Sequence, residues 1–337
     1  MRTDAPIDEL LAPDWLADSD SWLAEWLAAL GITSTGPVRT VRVRAWSILR
    51  QVPTDAGRVW FKANVPGNGF EAAVVGALAG WAPDFVVAPL AVDPDRGWLL
   101  SPDGGPTLRA ATADRPDPAR WADLLQRYAE LQRLVAPHGD RLVGLGLPDL
   151  RTARMPATLA ELLADPTVTL DPPVRAALVA LIPEYDRWCA ELAADGLPPS
   201  IQHDDLHDDN VFVGGAGLRF FDWGDACLAH PFGTLLVTLN AAANRFGFEP
   251  GGPELGRLRD AYLEPWTELR GRGELLRSVR LALWVAKVGR AVSWRRALVG
   301  ASDPGWQQAL GGPPRIAPEH ATAPAAWLET LTESDPD

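Results

Sequence analysis

Six breaker residues, Ser-Pro-Asp-Gly-Gly-Pro at 101–106, separate two stretches of different hydrophobic period, and that change constrains the fold more than any other feature of the 337-residue chain. Upstream, short runs rich in β-branched and aromatic residues at 40–44, 47–52, 58–63, 85–92 and 97–100 are parted by turn chemistry at 54–57 and 93–97. Such runs predict antiparallel hairpins. One helical pattern, 70–81, follows the Pro-Gly-Asn-Gly at 66–69. Downstream, apolar residues recur at helical spacing over 117–136, 158–165, 172–195, 231–246, 253–270, 273–298 and 322–333. The chain therefore reads as α+β: a small antiparallel β-sheet with one helix over 38–102, then a larger, mainly helical region over 103–337. Residues 1–37 read as a helical packing extension, with Leu10, Leu11, Trp15, Trp22, Leu23, Trp26, Leu27 and Leu30 on one stripe before Gly31. The Thr-Glu-Ser-Asp-Pro-Asp end reads as disordered.

Charge narrows the partners. A formal net charge of -13 repels polyanions, so neither nucleic acid nor an anionic membrane is expected. The first residues lack a basic and apolar leader, and no apolar run reaches the ~18 residues of a membrane span, so a cytoplasmic protein is expected. Cys189 and Cys227 stand far apart, without a Cys-x-x-Cys pair, which excludes a disulfide framework and fits a reducing compartment. Of 31 Lys and Arg residues only Lys62 and Lys287 are lysine. In a chain so biased toward arginine, a surviving lysine is a candidate for a place that needs a compact ammonium, with chance survival as the alternative, and Lys287, which has no motif around it, reads as background.

The chemistry concentrates at 203–210, His-Asp-Asp-Leu-His-Asp-Asp-Asn, with Phe-Asp-Trp-Gly-Asp at 221–225. A carboxylate cluster between apolar strands is costly to bury and points to a bound cation. His203 and His207, four apart, match the zinc-protease spacing, but that pattern needs a helix to put both rings on one face. Four aspartates disfavour a helix here, and Ile201 and Val211-Phe212-Val213 bracket the segment as strand, loop, strand. The kinase catalytic loop fits better: His203, Asp205, Leu206 and Asn210 occupy its His, Asp, Leu and Asn positions. Asp222 stands just past the following hairpin, where kinases keep a second metal ligand.

The stretches Ile-Gln-His-Asp-Asp-Leu-His-Asp-Asp-Asn-Val-Phe-Val at 201–213 and Phe-Asp-Trp-Gly-Asp-Ala at 221–226 resemble the His-Gly-Asp-Leu-His-x-x-Asn and Asp-Trp motifs of the aminoglycoside phosphotransferase and choline kinase family, the small-molecule relatives of protein kinases. The order of the two regions over about 38–300 agrees with it. Two positions depart from the pattern. Asp204 replaces the usual Gly after the His, and Ala-His-Pro-Phe-Gly-Thr at 229–234 replaces a Gly-Asp-Pro followed by an acid that braces the loop, leaving Thr234 to take that role by a hydrogen bond.

The resemblance implies a protein-kinase-like, two-lobed fold with a nucleotide-binding small lobe. Asp205 would accept or orient the acceptor's hydroxyl proton, Asn210 and Asp222 would hold Mg2+, and His203 would brace the loop. His207, Asp208 and Asp209 would rim the site or form a solvated face. Lys62, in Val-Trp-Phe-Lys-Ala at 59–63, falls where a kinase pairs the nucleotide phosphates, with Glu71 as its partner. The phosphate-covering turn would be 44–47, which lacks glycine and relies on backbone near Ser47. The hinge at 100–103 would offer Ser101 and Asp103 to the nucleotide base. Trp98 and Trp223 would flank a ligand or fill the core.

The expected function is transfer of the γ-phosphoryl group of ATP, or GTP, with Mg2+, to a hydroxyl of a small molecule. Asp225 and the acidic charge hint at a cationic acceptor such as an aminoglycoside or amino alcohol. A monomer or homodimer is expected. The alternatives are a non-catalytic nucleotide-binding pseudokinase and, less favoured, a zinc metallohydrolase.

Overall fold

The computed structural model describes residues 11–215 and 217–333. Leu10 and the start of the helical extension, Ala216 in the hairpin turn, and 334–337 of the tail lie outside the described residues. By contacts the chain divides into two units: one runs to Gly104 and takes in Arg296–Ala321, and the other holds Gly105–Arg295 and the residues from Thr322 onward.

In chain order the first part is α1 (Pro13–Ala29), β1 (Arg39–Val43), β2 (Ser47–Thr54), β3 (Gly57–Asn64), α2 (Phe70–Trp81), β4 (Ala91–Asp93) and β5 (Trp98–Pro102). The strands form one antiparallel sheet in the order β1-β2-β3-β5-β4. The expected strand over 85–92 is mostly irregular, although Phe85, Val86 and Val87 are buried. Pro89 lacks the N–H that a ladder needs, so pairing starts only at Ala91.

The N-terminal helix is more than an extension, because it covers one face of the sheet. Trp22, Leu23 and Leu27 are buried on it, and Trp22 meets Phe61 at 5.6 Å and Trp98 at 5.7 Å between ring centroids. Phe61 and Trp98 meet edge to face at 5.3 Å, so Trp98 is core and not a ligand-flanking ring. Arg50, buried within the sheet, reaches back to Ser19 Oγ at 2.6 Å and Asp20 at 2.7 Å on α1. The segment 296–321 groups here for a similar reason: Trp306 joins this core and donates from Nε1 to the Ala45 carbonyl at 2.7 Å.

The second unit is mainly helical: α3 (Leu108–Ala111), α4 (Pro118–Val135), α5 (Gly139–Gly144), α6 (Met155–Ala164), α7 (Pro172–Ala194), α8 (Leu235–Phe246), α9 (Pro253–Leu263) and α10 (Arg272–Ala301), whose final turns from Arg296 group with the first unit. Two short helices, α11 (Pro304–Ala309) and α12 (Pro318–Ala321), belong to the first unit, and α13 (Ala323–Glu329) to the second. The helix expected over 231–246 begins as a 3-10 turn at Pro231–Thr234, and that expected over 253–270 leaves α geometry after Leu263, next to Pro265. Between α7 and α8 run two hairpin-like pairs, β6 (Ser200–Gln202) with β9 (Cys227–Ala229) and β7 (Val211–Gly214) with β8 (Gly217–Phe220). Among the described residues no helix is long and apolar enough to cross a membrane.

Candidate active site

In the first unit, strand alternation puts Phe61 and Ala63 in the core and turns Lys62 to the other face, opposite Leu49 and Leu99. α2 begins after a 3-10 turn at Pro66–Asn68, so Glu71 falls in its first turn, where a carboxylate is favoured by the helix dipole. Lys62 Nζ meets Glu71 Oε2 at 2.6 Å, with the carboxylate 1% exposed. Asn64 Nδ2 donates to the same oxygen at 2.8 Å. Asn64 was not among the sequence candidates, yet it stands two residues along β3 and so shares the Lys62 face.

The turn at 44–46 is short and tied down. Arg44 N–H closes it on the Ser47 carbonyl at 2.8 Å, the Ala45 carbonyl takes the Trp306 indole, and the Trp46 carbonyl accepts from Val65 N–H at 3.1 Å. Ser47 is buried at the start of β2. Ser101 lies in β5 opposite Trp60. Asp103 donates its N–H to the Arg58 carbonyl at 3.1 Å and pairs its carboxylate with Arg58 at 2.8 Å, which extends the antiparallel β3–β5 pair by one residue.

In the second unit the 203–210 segment is a loop between strands, as its aspartates require. Asp204 takes a left-handed conformation, φ 63°, and so does Asp222, φ 66°. The first explains the departure noted above: Gly enters that conformation freely, and Asp is among the few L-residues that tolerate it. Gln202 Nε2 holds the Asp204 carboxylate at 2.7 Å. A Cβ on Gly233 would come within 2.1 Å of Gln202 Oε1, so only glycine leaves room for this brace.

The fully buried His203 bonds through Nε2 to the Phe221 carbonyl at 2.8 Å, and Phe221 N–H donates to the Asn210 carbonyl at 3.2 Å. These two bonds fasten the loop to the residue before Asp222. Stacking of Phe212 on Phe221, with centroids 3.9 Å apart, supports the join. Burial holds the His203 ring below its ordinary pKa, outweighing the Phe221 carbonyl and the charges of Asp205 and Asp222. A neutral ring donating one N–H suits a brace.

Asp205 is the node of the loop. Asn210 Nδ2 donates to its carbonyl at 2.9 Å and to Oδ2 at 3.2 Å, while His207 Nε2 lies 3.6 Å from Oδ2. Arg290 Nη2, from α10, lies 3.5 Å from Oδ1. Burial works against the charged carboxylate, but the His207 hydrogen bond and the Arg290 charge prevail and hold Asp205 below the usual range. Burial likewise opposes the His207 cation, yet Asp205 raises its pKa overall.

Several residues take places the sequence did not assign. Asp208 neither rims a site nor faces solvent: it is 2% exposed and gripped by Arg109 at 2.8 Å and Arg245 at 3.3 Å. Asp209 accepts from Thr107 Oγ1 at 3.0 Å. The Thr234 hydroxyl lies 3.4 Å from Gln132 Nε2, and the Gln202 bond to Asp204 braces the loop where Thr234 was expected to. Gln132 and Tyr128, one turn apart on α4, both donate to the Ile201 carbonyl, at 2.9 and 3.0 Å. His230 pairs with Asp195 at 2.9 Å. Asp225 accepts from Ser293 Oγ at 2.6 Å and lies 3.4 Å from Arg290, so it is engaged within the fold instead of standing ready for a cation. Trp223 is fully buried against His203 and Tyr128.

The donor set can be tested against a metal. Asn210 spends its amide N–H2 on Asp205, which leaves Oδ1 as its acceptor, and that oxygen and the Asp222 carboxylate are the hard donors that would suit a small cation retaining waters. Among the described residues no three His, Cys, Asp or Glu side chains gather as a metal-binding group, and the bonds of His203 and His207 to Phe221 and beside Asp205 leave no basis for the zinc reading.

This arrangement has relatives. The model of the phosphotransferase enzyme family matches residues 23–274. The chain belongs to that family. It is a phosphotransferase by that membership. Similar solved structures include a choline/ethanolamine kinase family protein from Mesorhizobium loti, 18% identical over 94% of this chain and 95% of the other, with a TM-score of 0.55. A macrolide 2'-phosphotransferase from Brachybacterium faecium is 18% identical over 93% and 99%, TM-score 0.55. An amicoumacin kinase in complex with AMP-PNP and Ca2+ is 12% identical over 93% and 94%, TM-score 0.53. At these identities the likeness shows the fold, which is that of the protein-kinase-like enzymes. No curated protein matches the chain by sequence.

Proposed function

We propose that the chain is a small-molecule kinase that moves the γ-phosphoryl group of ATP, or GTP, to a hydroxyl, with Asp205 as the group that accepts or orients the hydroxyl proton. The observation that carries this reading is the Asp205 carboxylate fixed by Asn210 at 3.2 Å in a loop that His203 and Phe221 fasten next to Asp222. An ionised carboxylate with one oxygen pinned is suited to receive a proton at the moment of in-line attack. Asn210 and Asp222 would hold Mg2+, which supplies charge neutralisation across the phosphates when bound.

In the first unit, Lys62 would bind the α- and β-phosphates, held in place by Glu71 and Asn64. We assign nucleotide binding to that unit, and catalysis with acceptor binding to the second. Either ATP or GTP fits the reading: the amicoumacin kinase of similar fold is bound to AMP-PNP, and two aminoglycoside phosphotransferases of similar fold are bound to GDP. A cationic acceptor rests on the net charge of -13, since Asp225 is engaged with Ser293 and Arg290.

The test is transfer of label from γ-labelled ATP across aminoglycosides, amino alcohols, macrolides, nucleosides and sugars, with Asp205→Asn as the blank. Magnesium-dependent labelling of one acceptor class, lost in the blank, supports the reading. Label transfer that survives Asp205→Asn unchanged would remove Asp205 from the role, magnesium-dependent ATP binding without transfer would leave the pseudokinase, and absence of both transfer and ATP binding would sink the kinase reading.

A further inference from the structure

Nothing in the catalytic-loop motif points to α10, yet that helix sends a guanidinium into the loop. Arg290 is 7% exposed, a position that costs a charged group several kcal/mol unless it is compensated. Its compensation comes from the carboxylates of Asp225, Asp204 and Asp205. Nη2 lies 3.5 Å from Asp205 Oδ1 and Nη1 lies 3.4 Å from Asp225 Oδ2. Asp225 is in turn fixed through its other oxygen by Ser293 Oγ at 2.6 Å, and Ser293 stands three residues from Arg290 on the same helix face. The result is a connected bracket: Ser293 on α10 hydrogen-bonds Asp225, and the Arg290 guanidinium lies at ion-pair distance from both Asp225 and Asp205 Oδ1. Asn210 and His207 contact the other oxygen, Oδ2. The two carboxylate oxygens thus have different partners, which restrains rotation of the group about its own axis.

We propose that Arg290 is a positioning residue for the transfer reaction, setting the orientation of the Asp205 carboxylate, with Ser293 and Asp225 as its support. This rests on the reading of Asp205 as the base. Misplacement of a reacting group by about 1 Å can cost on the order of a hundredfold in rate, so loss of the bracket acts on turnover and not on nucleotide binding.

The experiment uses the full chain with Mg-ATP and water as the acceptor, following release of labelled phosphate under single-turnover conditions, with binding of Mg-AMP-PNP measured in parallel and thermal unfolding as the check on folding. Arg290→Met is expected to lower turnover about 10–100-fold while AMP-PNP affinity stays within about twofold. Arg290→Lys, which restores a charge without the fork, should recover part of the loss. In an Asp205→Asn background the same Arg290→Met change should cost nothing further, because a residue acting through Asp205 has nothing left to position.

Wild-type turnover by Arg290→Met, beside an inactive Asp205→Asn, overturns the proposal and leaves the base assignment standing. An undiminished loss in the Asp205→Asn background overturns it too, since Arg290 would then act elsewhere. Where the wild type does not hydrolyse ATP, the same comparison is read with the acceptor found by label transfer, and normal turnover by Asp205→Asn removes the base assignment and this proposal together. Should Arg290→Met fail to fold, Ser293→Ala is read in its place: a several-fold loss confined to the Asp205 background supports the bracket, and unchanged turnover overturns it.

Discussion

Two ion contacts in this phosphotransferase, each with one buried partner, were built by different means. Lys62 and Glu71 come from adjoining elements, β3 and the first turn of α2, and their 2.6 Å contact follows from where one strand ends and the next helix begins. Asp205 and Arg290 come from distant segments, lie 3.5 Å apart, and meet only because α10 returns to the catalytic loop. The first is a short, single pair sharing one carboxylate oxygen with Asn64. The second is one arm of a network through Asp225 and Ser293. A local pair can be inferred from strand period and helix onset, whereas a network must be seen folded.

The largest expected effect separates chemistry from framework. Asp205→Asn should cut turnover about 10²–10⁴-fold, read as label transfer from ATP, with the melting temperature little changed. A stability loss as large as that of a buried-pair variant would mean that Asp205 is framework, like Glu71.

Next comes the pair itself. Lys62→Met leaves Glu71 buried with only Asn64 beside it and should cost about 3–5 kcal/mol in denaturant unfolding, together with nucleotide affinity. The double change Lys62→Met/Glu71→Leu should regain most of the stability and none of the binding. Recovery of both would show that Lys62 serves the fold alone.

A smaller effect probes the second unit away from Asp205. Arg109→Ala leaves the buried Asp208 to Arg245 and should cost about 1–3 kcal/mol, discounted toward the low end because Arg109 is half exposed. Turnover at saturating ATP should hold. A rate loss beyond the stability loss would bring Asp208 into the site after all.

The smallest effect is a pH dependence. The Arg151 hydrogen bonds, prevailing over burial, hold the Asp149 carboxyl below its ordinary value. A carboxyl depressed in the folded state adds stability that is complete above its unfolded pKa of about 3.9 and drains away as pH falls through the folded value. The difference in melting temperature between wild type and Asp149→Asn should therefore be full at neutral pH and shrink in strong acid. A difference that grows on acidification would contradict the sign.

Much of this was legible before folding. The β-rich and helical stretches, the helix carrying Glu71, and the strand-loop-strand frame of 203–210 follow from period and propensity, which act over a few residues. Where structure and sequence part, the reason is local in one place and tertiary in the others. The strand expected at 85–92 shortens because Pro89 interrupts the apolar run, while α1 decides that Trp98, open to either role in the sequence, is core. Asp208, a rim or solvated-face residue by sequence, is buried because Arg109 and Arg245 approach it from separate helices. Thr234 was given a task that Gln202 performs through the space left at Gly233.

What the sequence determined by itself was the placement of Lys62 on the half-open strand face, Glu71 at a helix start, and Asp205, Asn210 and Asp222 around one hairpin, because each depends only on its neighbours along the chain. What the tertiary structure decided was the company each keeps. Arg290 and Ser293 at the loop, Tyr128 and Gln132 under Ile201, and Trp306 inside the first core are products of packing, in which distant surfaces meet where burying them together is most favourable. Local pattern says which face a side chain takes, and only the assembled core says what lies against it.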